Sequence, residues 1–378
     1  MPKKTRILFL ANTSWYLYNF KLPLFQAINN QDYDILLVAP SDSYSALLED
    51  SGLKFIHWDL NRSSLNPFNA IYSVIKLIYI YINAKPDIVH HFTIKPCMYG
   101  SIAARLTNVN YVINAFTGLG QLYFMAKNKY SLIRFLSVFI YRLILSTRNS
   151  ITVCQNKHDL HELERIYNSK IINSRIIPGS GVDTSFFKRN KSKLVFNTPP
   201  NILFPARLIK EKGYSELIQA CYKLWDEGCK FNLIIAGSID LGNNSYISED
   251  ELSKLKSYSC IKLLGHSTNM KNVYENMDIV VLPSWREGLS KSLIEAGSME
   301  CAIITTDVPG CKDIVDHGLN GLLVPVKDIM ALKNSIYYLL NNNNLAIKLG
   351  KNAREKSELF FNMSLINKMT LDLYKTCI

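Results

Sequence analysis

The stretch REGLSKSLIEA places two acids, Glu287 and Glu295, eight positions apart around a Gly-Leu-Ser turn. The residues after that turn are predicted to be helical. The backbone N–H groups of Leu289, Ser290 and Lys291 are then expected to lack partners at the helix start, where they suit a phosphate or sugar hydroxyls. Glu295 is expected to accept both hydroxyls of a ribose, and Glu287 to reach the sugar side. The alternative is one acid that complements the helix dipole and one surface acid.

A second set of charged residues lies in the stretch FPARLIKEKGYSELIQA, which contains Arg207 and Lys212. A strand is predicted to end at Ala206 and a helix to begin near Gly213, so both cations lie in the connecting loop. Two cations beside a helix N-terminus that opens on glycine form a site for a diphosphate. The alternative is a pair of solvated loop charges without a ligand.

Short apolar runs alternate with helix-length segments along the whole chain. Continuous apolar runs of this kind are typical of strands in parallel sheets that are covered on both faces. They form two series, which predicts an α/β fold with two doubly wound domains. The first series is RILFLAN, DILLVAP, DIVHHF, YVINAF, SITVCQ and RIIPGS, and the second is NILFPA, FNLIIAG, IKLLG, IVVLPS, AIITTD and GLLVP.

Polar clusters follow three strands of the second series. In open α/β sheets, ligands bind beyond the carboxyl ends of the strands. The clusters 207–213, 237–240 and 284–295 are therefore expected to face one crevice between the domains. The domain boundary is expected in the basic, proline-bearing stretch 188–201, which has no strong period.

The composition excludes several classes of protein. A chain of 378 residues with 48% hydrophobic and 20% charged residues can bury two cores and is not disordered. The net charge of +12 indicates an anionic partner: nucleic acid, an acidic membrane surface or a phosphorylated ligand. The eight cysteines form no Cys-x-x-Cys pair and H-E-x-x-H is absent, so no metal or other cofactor is expected. The apolar stretch 71–82 is too short to span a membrane and contains Lys76.

These residues, with their surroundings, are similar to a known family. From Asn201 to Asp328 the chain resembles the donor half of retaining glycosyltransferase family four, whose members have the GT-B architecture. The resemblance lies in ARLIKEKG, GHSTNMKNVYENMDIVVLPSWREGLSKSLIEA and TTDVPGCKDIVDHGLNGLLVP. It implies a GT-B fold, in which two Rossmann-like domains face a central cleft.

The resemblance also implies roles in the donor half. Arg207 and Lys212 match the pair that neutralises the diphosphate of a nucleotide-sugar, and Glu295 matches the acid that binds the ribose. Glu287 matches the acid at the transferred hexose, and it is expected to orient the sugar rather than to attack it. The other donor-site residues match turns: Gly288, Leu289 and Ser290 beside the hexose, and Gly265 and His266 in the wall of the base pocket.

The N-terminal half resembles a narrower group, bacterial enzymes that extend lipid-linked saccharides. The matching stretches are ANTSWYLYNFKLPL, PDIVHHFTIKPCMYGSIAARL, YVINAFTGLGQLYF and IPGSGVDTSFF. The candidates for the acceptor side are Asn12, Thr13, His91, Lys95, Thr117 and Gly118. Many relatives have a histidine where this chain has Thr117, so a histidine contact to the donor sugar does not carry over. For His90 and His91 the alternative is a buried histidine whose hydrogen bonds are satisfied.

The chain also departs from the family pattern after the helix that carries Glu295. Where the family commonly has a glycine and then a proline, this chain has Glu300 and Ala302 in GSMECAIIT. Because that loop is structural, the departure affects the expected local geometry more than the expected activity.

Three parts of the chain are expected. Residues 1–190 form the acceptor-binding domain, 191–360 the donor-binding domain, and 361–378 a C-terminal helix that packs on either domain. Within the first part, 123–148 has an apolar face opposite a face with Lys127, Arg134 and Arg142. This pattern is typical of an interfacial membrane helix, and the alternative is burial against the N-terminal sheet.

The expected function is transfer of a hexose or N-acetylhexosamine with retention, from a UDP-sugar such as UDP-N-acetylgalactosamine to a lipid-linked saccharide. The expected partners are this nucleotide-sugar, an undecaprenyl-diphosphate-linked acceptor and an anionic membrane, with no nucleic acid. The expected location is the cytoplasm, at the inner face of the cytoplasmic membrane. The alternatives are a nucleotide-sugar epimerase of the same architecture and a non-catalytic membrane-binding protein.

Overall fold

The computed structural model describes residues 4–28, 32–61, 66–119, 149–190, 195–239 and 245–377. The chain forms two compact units. Met1–Ser180 and Ile366–Ile378 make up the first, and Gly181–Leu365 makes up the second. The segment 123–148, predicted to face a membrane, lies outside the described residues.

A seven-stranded parallel sheet forms the centre of the first unit, with the strand order 3-2-1-4-5-6-7. Ile7 to Leu10 of its central strand are fully buried, as expected for a sheet covered on both faces. The strands are β1 (Thr5–Leu10), β2 (Tyr33–Ala39), β3 (Lys54–His57), β4 (Ile88–Phe92), β5 (Tyr111–Phe116), β6 (Ser150–Cys154) and β7 (Ser174–Ile176).

Helices cover this sheet. The first, α1 (Ser14–Tyr16), continues through a π-helical turn (Leu17–Lys21) into α2 (Leu22–Ala27). The others are α3 (Ser43–Asp50), α4 (Pro67–Ala84), α5 (Ile94–Leu106) and α6 (Lys157–Tyr167). No helix in the described ranges combines the length and the apolar character that a membrane span needs.

The second unit contains a six-stranded parallel sheet with the order 10-9-8-11-12-13. Its strands are β8 (Asn201–Phe204), β9 (Asn232–Ile235), β10 (Ile261–Leu263), β11 (Ile279–Leu282), β12 (Ala302–Thr306) and β13 (Leu322–Val324). A 3₁₀ turn (Lys210–Lys212) precedes α7 (Tyr214–Asp226), and α8 (Glu249–Lys256), α9 (Met270–Glu275), α10 (Lys291–Ser298), α11 (Ile329–Asn341) and α12 (Asn343–Phe360) follow. The last helix, α13 (Met363–Lys375), starts in this unit and belongs to the first unit from Ile366 onward.

Both sheets have the order of a doubly wound fold, in which the chain turns back after the third strand. The predicted fold class, two doubly wound α/β units, is therefore confirmed. All twelve predicted strands are present, and β3 is the one strand in the described residues that was not predicted.

Along the chain, the second unit begins after Ser180, ten residues before the predicted boundary. The intervening residues lie with the second unit because Val182 N–H donates to Phe361 O at 2.9 Å and the buried Arg189 guanidinium donates to Met277 O at 2.6 Å. The end of the last helix lies with the first unit. There the Tyr374 hydroxyl is 2.7 Å from His90 Nδ1.

Candidate functional site

Loops at the carboxyl edge of the second sheet are joined through backbone contacts. Gly213, with a φ of 76°, ends the 3₁₀ turn after β8 so close to Pro283 that a Cβ at residue 213 would meet Pro283 O at 2.1 Å. Beside it, Trp285 N–H donates to Glu211 O at 2.9 Å. The loops that follow β8 and β11 are therefore packed against each other, and glycine is required at the contact.

Two more glycines bring neighbouring loops into the same edge. A Cβ at Gly237, after β9, would meet Ala206 O at 1.8 Å. A Cβ at Gly310, after β12, would meet the carbonyl oxygens of Glu287 and Gly288 at 2.6 Å each. Within the second unit, the three predicted polar clusters thus converge.

An ion pair connects the loop after β8, which carries Lys212, to the loop after β11, which carries Glu287. Lys212 Nζ donates to Glu287 Oε1 at 2.5 Å, and both side chains are mostly buried. Ser284 Oγ donates to the same carboxylate oxygen at 2.7 Å. Cys311 lies nearby, where burial and the charge of Glu287 raise the pKa of its thiol to about 12. The carboxylate of Glu287 is consequently held in one orientation from two sides.

Arg207 lies three residues after the end of β8 and its side chain is exposed. Its backbone lies within 3.0 Å of a Cβ built at Gly237, which places Arg207 where the loops after β8 and β9 meet. An exposed guanidinium at this edge can reach an anionic ligand. Arg207 and Lys212 lie in the same loop, as predicted.

Glu295 lies in the second turn of α10 and is only 8% exposed. Burial raises the pKa of its carboxyl group, although Lys291 and Tyr274 act in the opposite direction. Lys291 Nζ lies 3.8 Å from one carboxylate oxygen, and the Tyr274 hydroxyl donates to the other at 3.4 Å. Both contacts are long, so the carboxylate keeps capacity to accept hydrogen bonds from a ligand.

The turn between the two acids differs from the expectation in one donor. Ser290 N–H makes a weak contact to Gly310 O at 3.5 Å, so it is not left without a partner. The loop after β12 packs against this turn and supplies that acceptor. The residues of the turn, Gly288 and Leu289, are half-buried, and Ser290 caps α10.

Gly265 and His266 lie beyond β10, and both are exposed. His266, with Ser267 and Thr268, lines a cavity of about 840 Å³ between the edge of the sheet and α9. Arg207, Lys212, Glu287 and Glu295 do not line this cavity. The structure thus brings Lys212 and Glu287 together and places His266, predicted for the base pocket, on a separate depression.

The group of side chains around Trp285 was not predicted from the sequence. Trp285 Nε1 donates to Glu216 Oε1 at 2.8 Å, and Lys327 Nζ lies 3.9 Å from the centre of the indole ring. These contacts tie α7 and Lys327, two residues before α11, to the loop that carries Glu287. The available signal was the position of Trp285, two residues before Glu287.

The acceptor-side candidates all lie in the first unit, after strands that are neighbours in its sheet. Asn12 and Thr13 follow β1, His91 and Lys95 lie at the end of β4 and the start of α5, and Thr117 and Gly118 follow β5. Three of them, Thr13, Lys95 and His91, have identified structural contacts. Thr13 Oγ1 accepts from Tyr16 N–H at 3.0 Å, and Lys95 Nζ donates to Asn61 O at 3.0 Å.

His91 is fully buried between the sheet and two helices. Its Nδ1 lies 2.8 Å from Asn114 Oδ1, and its Nε2 lies 2.9 Å from the Tyr81 hydroxyl. Burial lowers the pKa of His91 to about 4, so the ring is neutral near pH 7. These contacts match the alternative of a hydrogen-bonded core histidine, and an acceptor-side role stays a prediction.

A buried lysine that was not predicted from the sequence lies beside Thr117. Lys21 lines a cavity of about 20 Å³ with Thr117 and His90, and its amine lies 4.8 Å from the centre of the Phe92 ring. Burial lowers the pKa of Lys21 to about 8. His90 Nε2 has no hydrogen-bond partner among the described residues. This small cavity therefore combines a cation with an unpaired nitrogen.

Metal ligation requires several donors in one place. In the described part of the chain, no three His, Cys, Asp or Glu side chains are grouped so that they hold an ion. Whether the reaction uses a metal is a separate matter and stays a prediction.

Two family models match the chain, one on each half. The model "Glycosyl transferases group 1" matches residues 186–356, and the model "Glycosyl transferase 4-like" matches residues 6–156. The first match contains the Lys212–Glu287 pair and Glu295, and the second contains the acceptor-side candidates.

Curated relatives match over almost the whole length. The chain is 27% identical to the N,N'-diacetylbacillosaminyl-diphospho-undecaprenol alpha-1,3-N-acetylgalactosaminyltransferase of Campylobacter jejuni, with 98% of each chain covered. It is 25% identical to the UDP-Gal:alpha-D-GlcNAc-diphosphoundecaprenol alpha-1,3-galactosyltransferase of Escherichia coli, with 93% of this chain and 91% of that one covered.

Solved structures show the same fold at lower identity. Anabaena HepE in complex with UDP and glucose has a TM-score of 0.80 and 17% identity, covering 98% of this chain and 99% of its own. Sucrose-phosphate synthase from Thermosynechococcus elongatus has a TM-score of 0.77 and 17% identity, with 98% of each chain covered. The predicted GT-B fold is confirmed.

Proposed function

The chain belongs to the group 1 glycosyltransferases, with a glycosyltransferase 4-like N-terminal half, and we propose that it transfers a hexose or N-acetylhexosamine with retention of anomeric configuration. The donor is a UDP-sugar such as UDP-N-acetylgalactosamine, and the acceptor is a saccharide carried on undecaprenyl diphosphate. The names of the C. jejuni and E. coli relatives support these substrates. The product serves the assembly of a bacterial surface polysaccharide.

The observation that carries the proposal is the contact of Lys212 with Glu287 at the carboxyl edge of the donor-half sheet. As the bond between the sugar and the diphosphate breaks, negative charge develops on the leaving phosphate. Arg207 and Lys212 stabilise that charge, and Glu287, oriented by Ser284, holds the hexose. Glu295 accepts hydrogen bonds from the ribose hydroxyls.

In this mechanism the chain itself positions the donor and disperses charge, which accounts for most of the catalysis. Cationic side chains and backbone amides take the place of a divalent ion, so the transfer needs neither metal nor other cofactor. The acceptor-side residues bind the lipid-linked saccharide at the inner face of the cytoplasmic membrane, where an anionic lipid surface matches the net charge of +12.

The first test measures donor binding. A UDP-sugar at a hundred times its dissociation constant is expected to add about 2.7 kcal/mol to the free energy of unfolding. A thermal shift detects this gain, and GDP-sugars serve for comparison. Arg207→Ala and Glu295→Ala weaken this binding, whereas Glu287→Ala mainly lowers kcat. Lys210→Ala, in the same loop with an exposed side chain, is the control. Unchanged nucleotide affinity in all the site variants would remove the site assignment.

The second test measures the reaction. The wild-type protein is incubated with the UDP-sugar and an undecaprenyl-diphosphate-linked saccharide, with and without EDTA, and NMR identifies the anomer of the product. Transfer with retention that persists in EDTA supports the proposal. Conversion of the sugar nucleotide without an acceptor would instead identify an epimerase.

A further inference from the structure

Helix α4 carries an apolar stripe on its outer face. Six large side chains, each 51–78% exposed, recur at helical spacing: Phe68, Ile71, Tyr72, Ile75, Tyr79 and Ile82. At 3.6 residues per turn they lie within a sector of about 100°, and at 1.5 Å per residue the stripe is about 21 Å long. Isolated exposed apolar residues are common on soluble proteins, but a continuous stripe of this length indicates an interaction surface.

The helix cannot turn this stripe inward, because its opposite face is already buried. Leu77, Ile80 and Tyr81 pack into the core of the first unit. Trp58 Nε1 donates to Ser73 O at 3.0 Å, and the Tyr81 hydroxyl bonds to His91 at 2.9 Å. A helix that is apolar on two opposite faces needs a second apolar environment.

The charges on and beside α4 indicate the nature of that environment. Pro67–Ala84 contains no acidic residue. Its single charged residue, Lys76, is exposed and its amine lies 5.4 Å from the centre of the Tyr72 ring. At the C-terminal end, Lys85 is exposed and caps the helix in the left-handed conformation. Isoleucine and tyrosine bordered by lysine is the composition of a helix that lies in a membrane interface.

A cavity of about 350 Å³ next to the stripe carries the same combination. Tyr79 lines it together with apolar residues of β2 and β3, and Arg6 and Lys54 lie at its edge. Asp34 also lines the cavity and is hydrogen bonded to both cations, so these three side chains together carry one net positive charge. A lipid headgroup phosphate would therefore meet cations along one flank of the stripe and at its C-terminal end.

We propose that the outer stripe of α4 docks the protein on an anionic lipid bilayer, with the helix axis parallel to the membrane plane and Ile75 and Tyr79 at its centre. The inference rests on the proposed function, whose acceptor is anchored in a membrane, and it names the surface that meets the lipid. A second copy of the chain fits the stripe less well, since a twofold pairing would bring the cations beside it near their own copies.

Vesicle sedimentation tests the proposal with the full-length protein. The vesicles contain phosphatidylglycerol and phosphatidylethanolamine, and vesicles of phosphatidylcholine alone serve for comparison. The double variant Ile75→Asn/Tyr79→Asn is expected to bind the anionic vesicles at least tenfold more weakly than the wild type. Lys76→Gln is expected to weaken binding to anionic vesicles and to leave binding to neutral ones unchanged.

The matched control is Leu359→Asn/Phe360→Asn on α12, where two large apolar side chains are also more than half exposed. It should bind vesicles like the wild type. Wild-type vesicle affinity in the stripe variant would overturn the proposal. So would a variant that only dissociates a dimer in sedimentation velocity, because the stripe would then bind a second copy.

Separate assays distinguish failure of the docking surface from failure of the proposed enzymatic function. Vesicle binding is measured without donor or acceptor, and the thermal shift by a UDP-sugar is measured without lipid. A stripe variant that loses vesicle binding and keeps the UDP-sugar shift supports the docking surface. A wild type that binds vesicles and shows no nucleotide-sugar binding or transfer would contradict the enzymatic function alone.

Discussion

Lys212 and Glu287 form an ion pair of 2.5 Å that joins the loop after β8 to the loop after β11, and solvent reaches only 23% and 10% of the two side chains. Removing one member of a mostly buried pair leaves the other charge without its partner. The pair is therefore expected to serve the stability of the loops as well as the ligand.

A double-mutant cycle measures this coupling. We expect Lys212→Met and Glu287→Gln each to lower the free energy of unfolding by ~1–3 kcal/mol, and the double variant to lose at least ~1 kcal/mol less than the sum. The control is the exposed pair Lys375–Asp372, for which ~0.5 kcal/mol or less is expected. Urea unfolding gives the values, and additive effects at Lys212 and Glu287 would contradict the pair.

Glu295→Gln is expected to change stability in a pH-dependent way. Burial raises the carboxyl pKa above the ordinary value of 4.5, so the folded state binds more protons than the unfolded state just above that pH. The free energy of unfolding of the wild type therefore falls as pH rises through this window, and that of the glutamine variant does not. Urea unfolding from pH 4 to 7 should show the variant gaining on the wild type. A constant difference would show that the carboxyl group titrates normally.

The same substitution should separate stability from function. Glutamine retains the shape of Glu295 and loses the negative charge, so the nucleotide-sugar is expected to bind more weakly while the protein is no less stable at pH 7. The thermal shift by a UDP-sugar provides the second measurement. Unchanged affinity would mean that Glu295 does not contact the ribose.

Much of the fold was predictable because both sheets are buried on their two faces. A strand such as Ile279–Leu282, with four buried apolar residues in a row, is visible in the sequence. The strand Lys54–His57 was missed because it lies at the sheet edge and is only half-buried, so KFIH has no continuous apolar run.

The site was predictable in part. The loop positions of Arg207, Lys212 and Glu287 follow from strand ends, since parallel strands bring their carboxyl ends to one edge. The burial of Lys21 was not predictable, because a single lysine in YNFKLPLF is normally on a helix surface. The sequence also shows that Pro67–Ala84 is rich in apolar residues, but it does not show which of its faces is covered.

Lys21→Met is expected to stabilise the protein at pH 7. The pKa of the buried amine is about 8, against an ordinary value of 10.5, so at pH 7 a charge is held in an apolar site. A difference of about 2.5 units corresponds to ~3 kcal/mol. As pH rises from 8 to 10.5, the unfolded state binds more protons than the folded state, so the wild type recovers this free energy.

The advantage of the methionine variant should accordingly shrink between pH 8 and 10.5. The control is Lys368→Met, an exposed lysine of the same unit, for which no such trend is expected. Equilibrium urea unfolding of both variants at pH 7, 9 and 10.5 provides the comparison. A gain from Lys21→Met that does not depend on pH would contradict the lowered pKa.

Glu300→Gly is expected to raise the free energy of unfolding by about 1 kcal/mol. Glu300 has a φ of 55° after α10, where the family commonly has glycine, and its Oε2 is buried with no hydrogen-bond partner among the described residues. Glycine adopts this conformation without strain and removes the buried oxygen. Glu300→Gln, which keeps the Cβ, separates the two contributions in a thermal melt. A destabilised glycine variant would mean that a contact of Glu300 stabilises the protein by more than its backbone strain costs.

Two glycines at opposite ends of α7 test the contact between the loop after β8 and the loop after β11. Both have positive φ, 76° at Gly213 and 86° at Gly228, but a Cβ at Gly213 would meet Pro283 O at 2.1 Å and a Cβ at Gly228 would meet nothing within 4 Å. Gly228→Ala is therefore expected to lower the free energy of unfolding by ~1 kcal/mol, the backbone term alone. Gly213→Ala adds displacement of the Pro283 loop and is expected to lose ~3 kcal/mol.

Because Lys212 precedes Gly213 and Glu287 follows Pro283 in that loop, Gly213→Ala should also weaken the thermal shift by a UDP-sugar, whereas Gly228→Ala should leave it intact. Equal losses in the two variants, with nucleotide-sugar binding retained in both, would mean that the loop contact does not position the ion pair.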